Sequence, residues 1–117
     1  MKTIIAGSRS IQSFETVKLA IFNASMCGIP EITQVVSGTA RGVDLLGEKY
    51  ARLHNISIKQ FPAEWSKYGK SAGYKRNVQM AIYADALISV WDGESRGSQH
   101  MINIAKEHGL EVYVFKI

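Results

Sequence analysis

Apolar residues gather in short runs at Lys2 to Ala6, Gln34 to Ser37, Ile56 to Phe61, Ala86 to Trp91 and Glu111 to Phe115. Each run is β-branched or aromatic in character and is bounded by turn residues, the pattern of a strand. Between the runs the period changes. Val17, Ala20, Ile21 and Ala24 recur at helical spacing, as do Val43, Leu46, Tyr50 and Leu53, then Val78, Ala81 and Ile82, then Met101, Ile104 and Ala105. Gly28 with Pro30, Asn55 and Gly109 stand where those helices should stop. The runs VVS and ALISVW are apolar at nearly every position, so their strands should be covered on both faces, as in a parallel sheet flanked by helices. Strand-helix alternation over residues 1–117 therefore predicts a single α/β domain, a Rossmann-like three-layer sandwich with a parallel five-stranded sheet.

In an open parallel sheet, ligands bind beyond the carboxyl ends of the strands, so the residues that follow each strand are where chemistry is sought. Gly7-Ser8-Arg9-Ser10 follows the first strand. Ser37-Gly38-Thr39-Ala40-Arg41-Gly42-Val43-Asp44 follows the second, and Asp92-Gly93-Glu94-Ser95-Arg96-Gly97-Ser98 the fourth. Glycine at such a turn lets backbone N–H groups approach a bound oxygen, and the first turn of the next helix offers unpaired donors with partial positive charge. The expected guest is an anion. Arg9, Arg41 and Arg96 each add a planar fork that suits phosphate or carboxylate oxygens, while Ser8, Ser10, Thr39 and Ser98 can donate or accept. Asp44 opens the second helix, where it can cap N–H groups, pair with Arg41 or hold a ribose hydroxyl; the sequence leaves these open.

Charge sharpens this picture. The net charge of the 117-residue chain is +4, and residues 59–76 alone hold five Lys/Arg against one acid. That stretch, KQFPAEWSKYGKSAGYKR, interleaves Lys59, Lys67, Lys70, Lys75 and Arg76 with Phe61, Trp65, Tyr68 and Tyr74. Cations attract phosphate and aromatic faces stack bases, so the run suits an anion carrying flat rings; the plainer alternative is a solvated loop whose aromatics lie over the core. The composition, 46% apolar, is ample for a core without metal or disulfide.

Other chemistries lose support. Cys27 is the lone cysteine, so no internal disulfide and no cysteine zinc site can form, and it falls at a helix end whose dipole opposes a reactive thiolate. His54, His100 and His108 show no metal-ligand spacing, and neither a metal nor a cofactor is expected. GxxxxGK[ST], GxGxxG after the first strand, and GxSxG are all missing. No apolar run approaches the roughly 18 residues of a membrane span, and the start of the chain does not read as a secretory signal, so a cytoplasmic protein without membrane contact is expected.

The octapeptide at 37–44 resembles the SGxARGxD signature of the DprA/Smf DNA-processing family. The likeness continues at Phe61-Pro62, Arg76-Asn77 opening the third helix, Ala84-Asp85-Ala86 and Ser95-Arg96-Gly97-Ser98. The chain is more similar still to the YspA-related SLOG family, a group frequent in bacteria and phages, through IIAGSRS at 4–10, VVSGTARGVD at 35–44, FPAEWSKYGKSAGYKRN at 61–77 and ADALISVWDGESRGSQHMI at 84–102. This resemblance covers essentially the whole chain and implies a Rossmannoid domain that binds nucleotides or nucleotide-derived signals at its edge loops. The enzymatic LOG branch of the superfamily cleaves a base from a nucleoside monophosphate with a glutamate near the phosphate turn. Aligning that motif on Gly97-Ser98 puts Met101 where the glutamate belongs, leaving Glu64, Asp92 and Glu94 as candidate catalytic carboxylates.

Two functional expectations follow. The first is a site for a mononucleotide, ADP-ribose or a cyclic relative, with or without hydrolysis of an N-glycosidic or phosphoribosyl bond. Its residues would be Gly7, Ser8, Arg9, Ser10, Ser37, Gly38, Thr39, Arg41, Gly42, Asp44, Trp65, Arg76, Asn77, Asp92, Arg96, Gly97 and Ser98, with Trp65 or Tyr68 covering the base. The second is a DprA-like single-stranded nucleic-acid binder that uses the basic run as a backbone track. Phe14, Phe22, Met26, Met80 and Tyr83 on helices add the expectation of a homodimer.

Overall fold

The computed structural model describes residues 1–117. The strands are β1 (Lys2–Gly7), β2 (Gln34–Ser37), β3 (Ser57–Gln60), β4 (Ala86–Trp91) and β5 (Glu111–Lys116). The helices are α1 (Phe14–Met26), α2 (Val43–Leu53), the single turn α3 (Trp65–Tyr68), α4 (Ala72–Tyr83) and α5 (Arg96–Glu107), with a 3-10 turn at Gly69–Ser71 between α3 and α4. All five strands pair in parallel in the order β3-β2-β1-β4-β5, so the chain reverses its winding between β1 and β4. This is the Rossmann-like sandwich that the alternation of periods predicts.

The all-apolar runs occupy the middle of the sheet, where both faces are covered. On one face Ile5, Val35, Ile88 and Val90 meet Val17, Ala20, Ile21 and Ala24 of α1 and Val43 and Ala51 of α2. On the other, Ile4, Ala6, Val36 and Leu87 meet Met80, Ala81, Met101, Ile102 and Ala105 of α4 and α5. Alternate residues of β1 thus feed opposite cores, as a period of two requires. No helix is long and apolar enough to cross a membrane.

Three helices end alike. Gly28, Asn55 and Gly109 take left-handed conformations, and the next residues, Ile29, Ile56 and Leu110, donate their N–H groups back to the carbonyls of Ala24, Ala51 and Ala105. These are the stop residues expected from the sequence, and their geometry is that of a Schellman cap. The same cap shortens β3 relative to the predicted run. Ile56 spends its N–H on the end of α2, so the strand begins at Ser57, although Phe61 still donates to Ser37 beyond the last ladder residue.

The fourth helix departs most from expectation. Arg76-Asn77 do not open it; it starts four residues earlier, at Ala72, and the segment before it is a helical turn followed by a 3-10 turn instead of an open loop. Ala72 is buried and anchors this first turn, a signal too slight to read against the surrounding lysines and glycines.

Candidate functional site

The carboxyl ends of β1 and β4, with the loop leaving β2, open onto one cavity of about 550 Å³. It lies where the order of strands reverses, the position that fold geometry favours for ligands. Buried Ala6, Met80 and Met101 give it an apolar base. Gly7, Ser8, Arg9 and Ser10 line it from the first loop, Arg41 and Asp44 from the second, Trp65, Arg76 and Asn77 from the basic run, and Asp92, Gly97 and Ser98 from the fourth loop. Twelve of the seventeen predicted binding residues therefore share one wall.

The other five do different work. Ser37 is buried, its hydroxyl donating to Glu48 Oε2 at 2.6 Å and accepting from Thr39 N–H at 3.1 Å. Thr39 holds a left-handed turn at φ 63°. A Cβ on Gly38 would stand 2.7 Å from Asp44 Oδ2 and 2.9 Å from Arg76 Nη1; one on Gly42, at φ 82°, would stand 2.7 Å from the carbonyls of Ser8 and Arg9. Both glycines thus let loops pack together and are not on the cavity surface. Arg96 is exposed at the start of α5 and turns out not to line the cavity, against its assignment as a phosphate grip. Tyr68 is likewise outside it, its ring covered by the ammonium groups of Lys67 and Lys75 at 5.1 and 4.8 Å, so Trp65 is the aromatic at the cavity and Tyr68 is not.

Of the candidate carboxylates, Glu64 and Glu94 are exposed and off the cavity wall; only Asp92 lies on it. Asp92 Oδ1 accepts from the N–H groups of Glu94 and Ser95 at 2.8 and 2.9 Å, and these bonds hold its carboxyl below the ordinary carboxylate range. Ser8 binds from below, its hydroxyl accepting the N–H of Asp92 at 3.1 Å. The carboxylate is a loop organiser as well as a wall group.

Asp44 is the opposite case. It is 4% exposed, and burial pushes its carboxyl up to about 6 despite nearby Arg76, the Ala40 N–H at 3.3 Å, the Gly7 N–H and Arg9. Arg76 also feels burial, which lowers it from its ordinary value while Asp44 opposes the change. Its Nη1 donates to the Gly38 carbonyl at 2.6 Å and its Nε to Asn77 Oδ1 at 3.0 Å. Asn77 in turn donates to the Gly97 carbonyl at 3.3 Å and meets His100 Nδ1 at 3.1 Å, so one chain of polar contacts ties α4 to the loop after β2 and to the start of α5. Desolvation lowers the His100 pKa, which favours the neutral ring in this chain.

Arg9, Arg41 and Lys70 are left free. The two ion pairs of the protein, Lys18–Glu15 and Arg52–Glu48, lie elsewhere, so no carboxylate stands within 4.0 Å of these cavity cations. Arg9 is 5.9 Å from the centre of the half-exposed Trp65 ring. The wall thus presents three uncommitted cations and a flat ring over an apolar base, a combination that can hold an anion with an attached aromatic group.

Lys70, Gly73, Tyr74, Met80, Ser95 and Met101 also line the cavity and were not among the predicted binding residues. Their signal was available. Gly73, Asn77 and Met80 recur at helical spacing, and extending the fourth helix back to Ala72 puts them on one face with Arg76. Tyr74 packs edge-on to His100 at 4.5 Å and closes α4 against α5 at the cavity rim.

Among known proteins, the chain is similar to the Gene 61 protein of Mycobacterium phage D29, at 30% identity over 120 residues that span 97% of this chain and 95% of that protein. No family model matches the chain. No solved structure matches it either.

Proposed function

We propose that this chain, which belongs to the same family as the Gene 61 protein of Mycobacterium phage D29, binds a nucleotide or nucleotide-derived small molecule in the cavity at the carboxyl edge of its sheet. One observation carries the reading: Arg9, Arg41 and Lys70 reach a single cavity with no carboxylate partner, beside Trp65 and over the buried side chains of Met80 and Met101. All three are exposed at the cavity, and none is within 4.0 Å of the wall carboxylates Asp44 and Asp92, so their positive charge is available to attract an anion. Three of them suit a ligand with two or more charges, so a nucleoside diphosphate or a diphosphate-bridged relative such as ADP-ribose should bind more tightly than a monophosphate. The ring of the ligand would lie between Trp65 and the methionines, and Gly7 and Gly97 would offer backbone approach to its phosphates. The resemblance to the YspA-related SLOG family supports the same ligand class. A cytoplasmic setting agrees with it.

If the bound nucleotide is also cleaved at its glycosidic or phosphoribosyl bond, the carboxylates on the wall are Asp44 and Asp92, since Glu64 and Glu94 face solvent elsewhere. These two differ in the direction burial and hydrogen bonding drive them, the condition under which one carboxyl can act as acid and another as base.

A second reading rests on a separate observation. Lys67 and Lys75 lie over Tyr68 outside the cavity and extend its positive charge along the surface, which would suit the backbone of a single strand. A thermal-shift series with AMP, ADP, ADP-ribose, NAD and oligo-dT of increasing length separates the two. Ligand at about 100 times its dissociation constant adds about 2.7 kcal/mol, roughly a ten-degree rise for a domain of this size. The small-molecule reading predicts that rise with ADP or ADP-ribose and its loss in Arg41→Ala. A response only to longer oligonucleotides would replace it with strand binding, and no response to any of them would overturn both.

A further inference from the structure

Of the ten glycines in the chain, the fold itself dictates eight. Five hold left-handed φ angles, and a Cβ on Gly7, Gly38 or Gly47 would come within 3.0 Å of another group. Gly97 faces open space at the cavity and is accounted for by the approach of phosphates. Gly73 remains. It is the second residue of α4, its φ is not left-handed, and a Cβ there would meet Trp65 Cη2 at 3.5 Å and Arg76 Nη2 at 3.6 Å, both ordinary contacts. Alanine would therefore fit, and it is the stronger helix former. Nothing within the chain requires bare backbone at this point.

Gly73, Trp65 and Arg76 all line the candidate nucleotide cavity, so the missing methyl leaves a notch in its wall. Apart from the chain neighbours of Gly73, no other side chain stands within 4 Å of the notch. Its two borders are flat groups, the half-exposed indole of Trp65 and the guanidinium of Arg76, each in van der Waals range of anything seated against Gly73. Arg76 donates from Nε to Asn77 Oδ1 and from Nη1 to the Gly38 carbonyl. Its Nη2, the nitrogen that borders the notch, carries two N–H groups and has no partner in the protein. The notch thus joins a stacking face to a free donor.

We infer that Gly73 seats the base of the bound nucleotide, whose ring edge enters between Trp65 and Arg76 while a ring nitrogen or carbonyl oxygen accepts from Arg76 Nη2. This rests on the nucleotide reading and adds to it where the base lies, against the first turn of α4. A flat ring with an acceptor on its edge is the chemistry selected. A bare diphosphate has nothing to place there.

Gly73→Ala tests this, because a structural glycine and a ligand-contact glycine predict opposite changes in stability. In thermal melts without ligand the variant should gain about 1 to 6 °C in Tm, since the helix loses a glycine and nothing collides. In calorimetric titration it should bind ADP at least ~10-fold more weakly than the wild type, because the methyl occupies the seat of the ring. Pyrophosphate, which has no base, should bind both chains alike. ADP bound equally by both chains would overturn the inference and leave the nucleotide reading standing. A variant with a lower Tm would also overturn it, by making Gly73 structural, as would one that loses pyrophosphate together with ADP. A wild type that binds neither ligand would overturn the nucleotide reading and this inference with it.

Discussion

Asp44→Asn should make this protein more stable at neutral pH, although it removes a side chain from the middle of the candidate site. Asp44 is buried, and its carboxyl is pushed up to about 6 because burial outweighs Arg76 and the N–H groups of Ala40 and Gly7. In the unfolded chain the same group titrates near 3.9. The folded state therefore binds the proton more tightly, and stability falls as pH rises between about 4 and about 6, then levels off. At pH 7 the ionised form costs the fold about 3 kcal/mol, an upper figure because water can relax around a site that opens to a cavity. Asn keeps an acceptor for one of the backbone donors and cannot ionise. The variant should match the wild type near pH 4 and lead by about 1 to 3 kcal/mol at pH 7, roughly 4 to 12 °C in Tm for a domain of this size. Paired thermal melts from pH 4 to 8 measure it. An Asn variant that is less stable than the wild type by the same margin at every pH would refute the reasoning, because the carboxylate would then be a net stabiliser. A destabilising buried charge at a cavity wall is itself what a functional residue looks like.

Other substitutions probe separate links. Gly42→Ala must adopt φ 82° with its Cβ 2.7 Å from two carbonyl oxygens, and should lose about 3 kcal/mol or more in urea unfolding. Ser89 is 1% exposed and its hydroxyl has no partner, so Ser89→Ala should be neutral or stabilise by up to about 1 kcal/mol in the same assay. Asn77→Ala cuts the contacts to Gly97 and His100, and should cost about 1 to 3 kcal/mol and raise hydrogen exchange at the start of α5.

Much of this was legible in the chain because buried parallel strands and capped helices leave local marks. The runs at 34–37 and 86–91 could be read as doubly covered strands, and Gly28, Asn55 and Gly109 marked helix ends, since each signal depends only on near neighbours. The three loops that converge on the cavity were legible for a topological reason: parallel strands put all their carboxyl ends on one edge. What was hidden depends on distance in space. Arg96 shares the composition of Arg9 and Arg41, yet it is exposed at the start of α5 and off the cavity wall, and no local pattern encodes that placement. Ser37 and Gly38 belong to the motif yet serve Glu48 and Arg76, partners 11 residues away for the Ser37 hydroxyl and 38 away for the Gly38 carbonyl. Lys70 and Tyr74 stand in the basic aromatic run that the sequence marks as suited to an anion with flat rings, but which side chains of that run reach the cavity depends on the helix starting at Ala72.

On the proposed function, Arg9, Arg41 and Lys70 await a multiply charged nucleotide. Calorimetric titration of ADP into the wild type and into single alanine variants at these three positions tests it most directly. Truncating a charge-assisted contact costs about 1.5 to 3 kcal/mol, so each folded variant should bind about 10- to 150-fold more weakly, and AMP should bind the wild type less tightly than ADP. Equal affinity in the wild type and all three variants, or no heat from ADP at all, would contradict the account.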